Sequence, residues 1–227
     1  MQRSFRLGAF SLALLLAPRG VHAETLIRLD TPNEFSHLAV WAMKAELNRV
    51  VSETSLDLRW QNAKDRPGRV EGRLFNVVLV DECVAENPDP AGDGPLGWTS
   101  IVDGRVLPYI AVDCARIRSV LAPEWARLDS DTQREIYLGK AMARVLAHEL
   151  VHAFTRTRHH DDDGLTQRAL TPGELVAGSY RLSPDDFSPR PVIRVASAAA
   201  PKLEAKSERA VVPAPRRSVE PMAPLGR

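Results

Sequence analysis

The sequence predicts an α+β domain in which a small twisted mixed sheet packs on two long helices. Two segments, one near residue 45 and one near residue 145, repeat apolar residues at helical spacing. Short runs with strand character lie between them, and one of these, Arg73–Asp81, is rich in β-branched and apolar residues. These observations favour a sheet that packs on an N-terminal helix and on a later, longer helix.

The N-terminus, Met1–Ala23, has the pattern of a signal peptide. Arg3 and Arg6 supply positive charge, residues 7–17 are largely apolar, and Val21-His22-Ala23 matches a cleavage site. This apolar run is shorter than the roughly 20 residues of a transmembrane helix, and no later segment is long and apolar enough to span a membrane. We therefore expect an exported protein, periplasmic or extracellular, that has no integral membrane segment after cleavage.

Composition divides the rest of the chain into a domain and a tail. Residues 24–187 have the size of a single domain with a hydrophobic core. Over residues 188–227, Pro, Ala, Ser and Arg dominate, and this composition predicts a disordered basic tail. The formal net charge of the chain is +1, with acids and bases in balance, which argues against nucleic acid as a partner.

The chain has two cysteines, Cys83 and Cys114, and each comes just after a strand-like run. The oxidising compartment that follows from export favours a disulfide between them. Two free thiols, or a metal-binding role for them, are the alternatives. No Cys-x-x-Cys pattern is present.

The first helix is predicted from a start signal and an apolar stripe. Thr31–Glu34 has the pattern of a capping box with proline at the first helical position, and the helix is expected to run to about Ser52. Its apolar residues at helical spacing are expected in the core: Val40, Met43, Leu47, Val50 and Val51.

Strand signals follow the first helix. Leu56, Leu58 and Trp60 alternate with polar residues, which is typical of a half-buried strand. Arg73–Asp81 is predicted to be a central strand because it is rich in β-branched and apolar residues. Residues 86–97 are dense in Pro, Gly, Asp and Asn, and predict a long loop.

A hairpin is predicted next, because Trp98–Val102 and Val106–Asp113 flank Asp103-Gly104, a two-residue turn signal. Ala115–Leu121 is expected to form a short helix or turn that ends before Pro123.

Two further helices have start signals of their own. Ser130-x-x-Gln133 predicts a capping box that opens a long helix, which ends between Thr155 and Thr157. Gly139 lies inside this helix, where a missing side chain allows close packing. Thr171–Glu174 predicts another capping box and a short helix to about Tyr180.

The long helix carries the strongest functional signal, His148-Glu149-x-x-His152. On an α-helix, positions four apart share a face, so these two histidines can present imidazole nitrogens to one point. That arrangement suits Zn²⁺, which neutral imidazole binds at about 2.0–2.1 Å. Glu149 lies beside that point, where it can accept a proton from a zinc-activated water.

A catalytic zinc site needs a third protein ligand and an open position for water. The loop after the helix offers His159 and His160, either of which can fold back onto the metal. An aspartate of residues 161–163 is a further alternative. Glu174 is another, although it also fits the third position of a capping box.

This region resembles the metzincin clan of zinc peptidases, and in particular short exported bacterial proteins in which the third histidine follows the second by eight residues. The resemblance covers roughly Val145–Tyr180, with His160 at the third-ligand position and Gly164-Leu165-Thr166 as the following turn, where the family has Met in place of Thr166. It implies a zincin-like fold, a Zn²⁺ cofactor and His148, His152 and His160 as ligands.

The resemblance also implies hydrolysis of peptide bonds, with Glu149 as general base and a peptide or protein as substrate. In that family an extended substrate pairs with an edge strand, and Tyr109–Asp113 is the candidate edge here. The alternative function is a non-catalytic, zinc-stabilised extracytoplasmic binding module. In that case a fourth protein ligand, such as His159 or Asp161, replaces the water.

Overall fold

The computed structural model describes residues 24–66, 70, 72–85, 94–103 and 105–188. The predicted signal peptide, almost all of the predicted tail, and most of the predicted loop at residues 86–97 therefore lie outside the described residues. In chain order the elements are β1 (Glu24–Asp30), α1 (His37–Val50), β2 (Asp57–Asn62), β3 (Arg73–Val80), β4 (Gly97–Val102), β5 (Arg105–Asp113), α2 (Cys114–Trp125), α3 (Asp131–Thr155), α4 (Pro172–Val176) and a short 3₁₀ helix (Pro184–Phe187).

The five strands form one mixed sheet in the order β2-β1-β3-β5-β4. β1 pairs in parallel with β2 and β3, β3 pairs in parallel with β5, and β4 is antiparallel to β5. The mixed sheet, the central position of β3 and the β4–β5 hairpin are therefore confirmed. The prediction that Tyr109–Asp113 is an edge is wrong, because this segment belongs to β5, which is paired on both sides. The edge strands of the sheet are β2 and β4.

One face of the sheet is buried against the helices. Along β3 every second residue is buried, namely Phe75, Val77 and Leu79. These side chains share one hydrophobic core with buried residues of β1, β5 and the four α-helices. The sheet and the two long helices thus form the packed layers that the sequence predicts.

Helix α1 buries its predicted apolar stripe but starts later than predicted. Val40, Met43, Leu47, Val50 and Val51 are all buried, which confirms the stripe.

The helix begins at His37, and its cap is Ser36, whose Oγ accepts a hydrogen bond from the Ala39 N–H at 3.0 Å. The predicted capping box at Thr31–Glu34 does not start the helix, because this part of the chain pairs with Cys83 instead. The Cys83 N–H donates to the Glu34 carbonyl at 3.1 Å, and the Ser36 N–H donates to the Cys83 carbonyl at 2.7 Å.

Helices α1 and α3 pack closely where Gly139 faces α1. A Cβ atom at Gly139 would overlap the carbonyl oxygen of Ala39 and would lie 2.6 Å from the Cβ of Ala42. The predicted reason for this glycine, close packing, is therefore confirmed. The two helices therefore pack so closely at this point that even the methyl group of an alanine would not fit between them.

Helix α2 starts directly after β5 and runs through Pro123 to Trp125. The predicted end before Pro123 is wrong. The last turn contributes two buried side chains, Leu121 and Trp125, to the core, and this packing offsets the single backbone hydrogen bond that a proline removes. Cys114, at the start of α2, forms a disulfide with Cys83, as predicted.

Helix α3 has 25 residues and ends where Arg156 adopts a left-handed conformation with φ of 56°. Its start after Ser130 is confirmed, but the Ser130 side chain makes no capping hydrogen bond, so the predicted capping box does not form. None of the described helices, α3 included, is long and apolar enough to cross a membrane.

Helix α4 begins with the predicted capping box. The Thr171 side chain accepts from the Glu174 N–H, and the Glu174 carboxylate accepts from the Thr171 N–H at 2.8 Å. The helix ends at Val176, four residues before the predicted end at Tyr180.

A buried ion pair fastens α3 to α1 and to the end of α4. The Arg144 guanidinium, fully buried, lies 2.9 Å from the Glu46 carboxylate, and it also donates to the carbonyls of Glu174 and Ala177. Burial alone would raise the pKa of Glu46, but hydrogen bonds and positive charge from Arg49 and Arg144 outweigh burial and hold this pKa below its ordinary value. Nothing in the sequence pattern predicted this cluster.

Candidate metal centre

The centre begins with two histidines one turn apart on α3. His148 and His152 point their rings at each other, with ring centroids 4.6 Å apart and the two Nε2 atoms 2.9 Å apart. The spacing of four residues on a regular helix produces this approach, as the sequence predicted.

His160 joins them from the loop after α3. Its Nε2 lies 3.3 Å from the Nε2 of His152, and its ring stacks on His148 with a centroid separation of 5.2 Å. The left-handed Arg156 turns the chain back at the helix end. A backbone bridge between Asp161 and Gln167 then closes the loop behind His160. Within the described residues, these three histidines form a group whose ligand atoms all lie within 4.8 Å of one another.

Two backbone carbonyls fix which nitrogen of each helix histidine is protonated. His148 Nδ1 lies 2.8 Å from the Leu165 carbonyl, and His152 Nδ1 lies 2.8 Å from the Thr157 carbonyl. A carbonyl accepts only, so each Nδ1 carries the hydrogen and each Nε2 of a neutral ring presents a lone pair.

Lone pairs that converge in this way fit a metal ion. Two unprotonated nitrogens repel each other, and a cation between them removes the repulsion. Tetrahedral zinc with Zn–N bonds near 2.0–2.1 Å would place neighbouring ligand nitrogens about 3.3 Å apart. The separations of 2.9 and 3.3 Å are close to that value. The donor set is thus one that suits Zn²⁺.

The surroundings also keep the ring of His152 neutral. Burial, followed by the charges of His148 and His160, lowers the pKa of His152 to about 4. Burial likewise lowers the pKa of His148, although its hydrogen bond to Leu165 opposes this. At neutral pH both rings therefore have an uncharged form available for a metal.

Glu149 lies beside the histidine cluster and is buried, with 6% of its surface exposed. Burial raises the pKa of Glu149 to about 7, and hydrogen bonds from the side chain and backbone of Thr99 oppose this rise. The Thr99 hydroxyl also donates to the backbone carbonyl of Glu149 at 2.9 Å. Strand β4 is thereby joined to the helix at the residue that the sequence predicts to be the base.

The other candidate ligands lie elsewhere. The His159 side chain is 65% exposed, and its Nε2 lies 4.0 Å from the Asp161 carboxylate. Asp161 accepts a hydrogen bond from the Thr166 hydroxyl at 2.5 Å. Glu174 is engaged in the capping box with Thr171. The described residues bring only His160 to the two helix histidines.

The turn Gly164-Leu165-Thr166 contacts the histidine cluster. Gly164 has a positive φ of 75°, which a glycine adopts without strain. Leu165 and Thr166 are both buried. The turn contributes the Leu165 carbonyl to His148 and the Thr166 hydroxyl to Asp161, so it orients one histidine and braces the loop that holds another.

The histidines open onto a cleft of about 670 Å³. Residues of β4 and of the loop after α3 line this cleft. The strand approaches α3 closely at Gly97, where a Cβ atom would lie 2.6 Å from Val145 and 3.3 Å from the Cγ of Glu149. The cleft is lined by Leu96, Trp98, Ile101, Val120, Arg158, Gln167, Arg168, Ala169 and Leu170, in addition to the residues named above.

The roles of four residues that shape this site were not predicted. Thr157 and Leu165 act through backbone carbonyls, for which side-chain identity gives no signal. Thr99 and Gly97 reach the site through the pairing of β4, which depends on distant parts of the chain. For Gly97 the available signal was a glycine directly before the predicted strand Trp98–Val102, because a glycine at a strand often marks a close approach of another part of the chain.

A scan of known protein families finds no match to this chain, and a search of curated proteins finds none either. Among solved structures, the crystal structure of archaemetzincin from Methanopyrus kandleri is similar with a TM-score of 0.46 and 16% sequence identity. The match covers 76% of this chain and 95% of that one. At this degree of similarity the match assigns neither family nor activity, so the function rests on the geometry of the site itself.

Proposed function

We propose that this protein is an exported zinc-dependent peptidase in which His148, His152 and His160 hold the metal and Glu149 is the general base. The observation that carries the proposal is the convergence of three imidazole Nε2 atoms, two of them fixed by Nδ1 bonds to carbonyls, beside a buried carboxylate. A purely structural metal site would not explain why a carboxylate is buried beside the histidines without being a ligand itself.

The reaction is hydrolysis of a peptide bond. When bound, zinc would acidify a water molecule and polarise the substrate carbonyl. Glu149, one residue after His148, would accept the proton from the attacking water and return it to the leaving amine. The Leu165 and Thr157 carbonyls would hold His148 and His152 in the tautomer that leaves Nε2 available throughout.

The substrate is proposed to lie along β4 as an extended peptide. Within the described residues β4 pairs only with β5, and its other edge borders the cleft. Backbone groups on such an edge can bind an extended chain by strand addition. β4 therefore replaces Tyr109–Asp113 as the proposed substrate-binding strand. A peptide or protein, rather than a nucleic acid, is the proposed partner.

The alternative of a non-catalytic zinc module requires a fourth protein ligand. In the part of the chain that the structure describes, no fourth His, Cys, Asp or Glu joins the three histidines. Three protein ligands facing an open cleft are the arrangement that leaves room for water. This observation favours the catalytic proposal.

Export is proposed on the sequence pattern of Met1–Ala23, and the disulfide supports it. The Cys83–Cys114 bond persists in the periplasm or outside the cell, whereas cytoplasmic reductants oppose such bonds.

The experiment is a zinc titration paired with a proteolysis assay on the mature chain. One equivalent of zinc is expected, together with hydrolysis of a mixed peptide library. Glu149→Ala should retain the zinc and reduce hydrolysis by about 10²–10⁴-fold, the range for loss of a general base. If wild-type protein binds no zinc at stoichiometric concentration, or if Glu149→Ala hydrolyses peptides at the wild-type rate, the proposal is wrong.

A further inference from the structure

The cleft carries two arginines, Arg158 and Arg168, which flank His160 in the chain, Arg158 two residues before it and Arg168 eight after. Arg158 is held at the edge strand, where its Nη2 donates to the Ile101 carbonyl at 2.9 Å. A guanidinium has five N–H donors, and this contact uses one of them. The remaining donors of Arg158 are available next to the strand on which we place the substrate.

These arginines have no acidic partner among the described residues. Neither Arg158 nor Arg168 forms an ion pair with a described residue. Of the described residues that line the cleft, Glu149 alone is acidic, and it is buried beside the histidines. The open part of the cleft is therefore positively charged.

Arg168 lines the same cleft as His160 and follows it by eight residues in the loop after α3. Clefts lined by one sign of charge concentrate ligands of the opposite sign. An arginine fork matches the geometry of a carboxylate with two parallel N–H donors.

The cleft is also lined by apolar side chains. Leu96, Val120, Val145 and Leu170 are among its lining residues, so the cleft as a whole suits a peptide with apolar side chains rather than a small free anion. A peptide that carries a carboxylate close to the bond under attack would match both the charged and the apolar lining.

We propose that Arg158 and Arg168 bind a carboxylate of the substrate, so that the cleft selects acidic peptides or peptides with a free C-terminus near the scissile bond. This inference rests on the proposed function, because it assigns the substrate class of the same site. An acidic side chain and a free C-terminus both present a carboxylate, and the experiments below distinguish these two sources.

The first measurement compares matched peptides. Each set has Glu, Gln or Lys at one position, moved from three residues before the cleaved bond to three after it, and each peptide is made with a free or an amidated C-terminus. We expect kcat/KM to be about tenfold higher for the best Glu peptide than for its Gln twin, or for the free terminus than for the amide. The advantage should shrink as salt rises from about 0.05 to 0.5 M, because exposed charges are screened.

The variants are Arg158→Gln and Arg168→Gln, with Arg127→Gln as the matched control. Arg127 is an exposed arginine that pairs with Glu124 on α2 and does not line the cleft. The two cleft variants should lose most of the Glu preference, so that the ratio of kcat/KM for the Glu peptide to kcat/KM for the Gln peptide falls toward one. Arg158→Lys should retain part of the preference because it keeps the charge, and Arg127→Gln should retain all of it.

Binding without turnover gives an independent readout. Trp98 lines the cleft and is 43% exposed, so a bound peptide should change the tryptophan fluorescence of a Glu149→Gln protein. The dissociation constant should be about tenfold lower for the Glu peptide than for the Gln peptide, and Arg158→Gln in that background should abolish the difference.

The outcomes separate the two proposals. If Glu and Gln peptides, and free and amidated peptides, are cleaved and bound alike, carboxylate selection is overturned while the peptidase proposal stands. If nothing is cleaved but carboxylate peptides bind in an Arg158-dependent way, the peptidase proposal fails and carboxylate recognition stands. If a preference for Glu peptides survives both arginine variants, these residues do not carry it and the inference is wrong.

Discussion

Two polar clusters lie one turn apart on α3, and they are built on opposite principles. Arg144 is enclosed by the Glu46 carboxylate and two carbonyls, so its hydrogen-bond donors meet acceptors. His148 and His152, four and eight residues further on, have satisfied Nδ1 atoms but point their Nε2 lone pairs at each other. A buried polar group whose donors and acceptors all have hydrogen-bond partners serves the fold. A buried group whose lone pairs have no donor within the protein indicates a ligand-binding site.

The largest effect expected from this comparison is on activity. His152→Ala removes the ligand at the centre of the three histidines and should reduce both zinc content and peptide hydrolysis to background. His159→Ala is the matched control, since it removes an adjacent exposed histidine that lies outside the cluster. Zinc content is measured by metal analysis after dialysis. If His152→Ala and His159→Ala lost zinc equally, the assignment of His160 rather than His159 as the third ligand would be wrong.

The cluster formed by Arg144 and Glu46 is tested by Glu46→Gln, which leaves the charge of the fully buried Arg144 without its counter-ion. Breaking a buried pair in this way costs about 3–5 kcal/mol. For a domain of this size, that corresponds to a drop in Tm of roughly 6–20 °C, measured by circular dichroism. Zinc stoichiometry in the folded variant should remain that of the wild type. A small change in Tm with lost zinc would reverse the roles given to the two clusters.

Metal removal should act on the histidine cluster alone. A ligand present at one hundred times its dissociation constant stabilises a folded protein by about 2.7 kcal/mol. We therefore expect a chelator to lower the Tm of the wild type by several degrees and zinc to restore it. The Tm of His152→Ala should not respond to either, and a response there would point to a different metal site.

The smallest effect is the pH dependence that Glu46 contributes. Folding lowers its pKa, so the ionised carboxylate stabilises the folded state at every pH above its unfolded-state value of about 4.3. That contribution is lost as pH falls through the lower folded-state pKa. Urea denaturation from pH 7 to pH 2.5 should show a shallower decline for Glu46→Gln than for the wild type. Parallel curves would mean that another carboxylate dominates acid unfolding.

Features set by local spacing were predictable from the sequence. The placement of His148 and His152 follows from the helical repeat, and the apolar stripe from Val40 to Val51 follows from the same periodicity. The turn at Asp103 was predictable because a short hairpin needs residues that accept positive φ, and Asp103 has φ of 49°. The capping box at Thr171 is likewise a local arrangement.

Features set by distant contacts were not predictable. The start of α1 moved to His37 because Ser36 bonds to Cys83, 47 positions away in the sequence. The edge strand was misplaced because strand order depends on which runs pair, and no single run encodes its partners. The Arg144–Glu46 pair joins two helices that the sequence pattern describes only one at a time.

Gly97 sets how closely β4 can approach α3. Because this residue has no side chain, the strand lies directly against the helix at Val145 and Glu149. Even a methyl group there would push β4 away from Glu149. If the proposed function holds, a substitution at this one position would leave the three histidines intact and still displace a peptide bound along β4 from the general base.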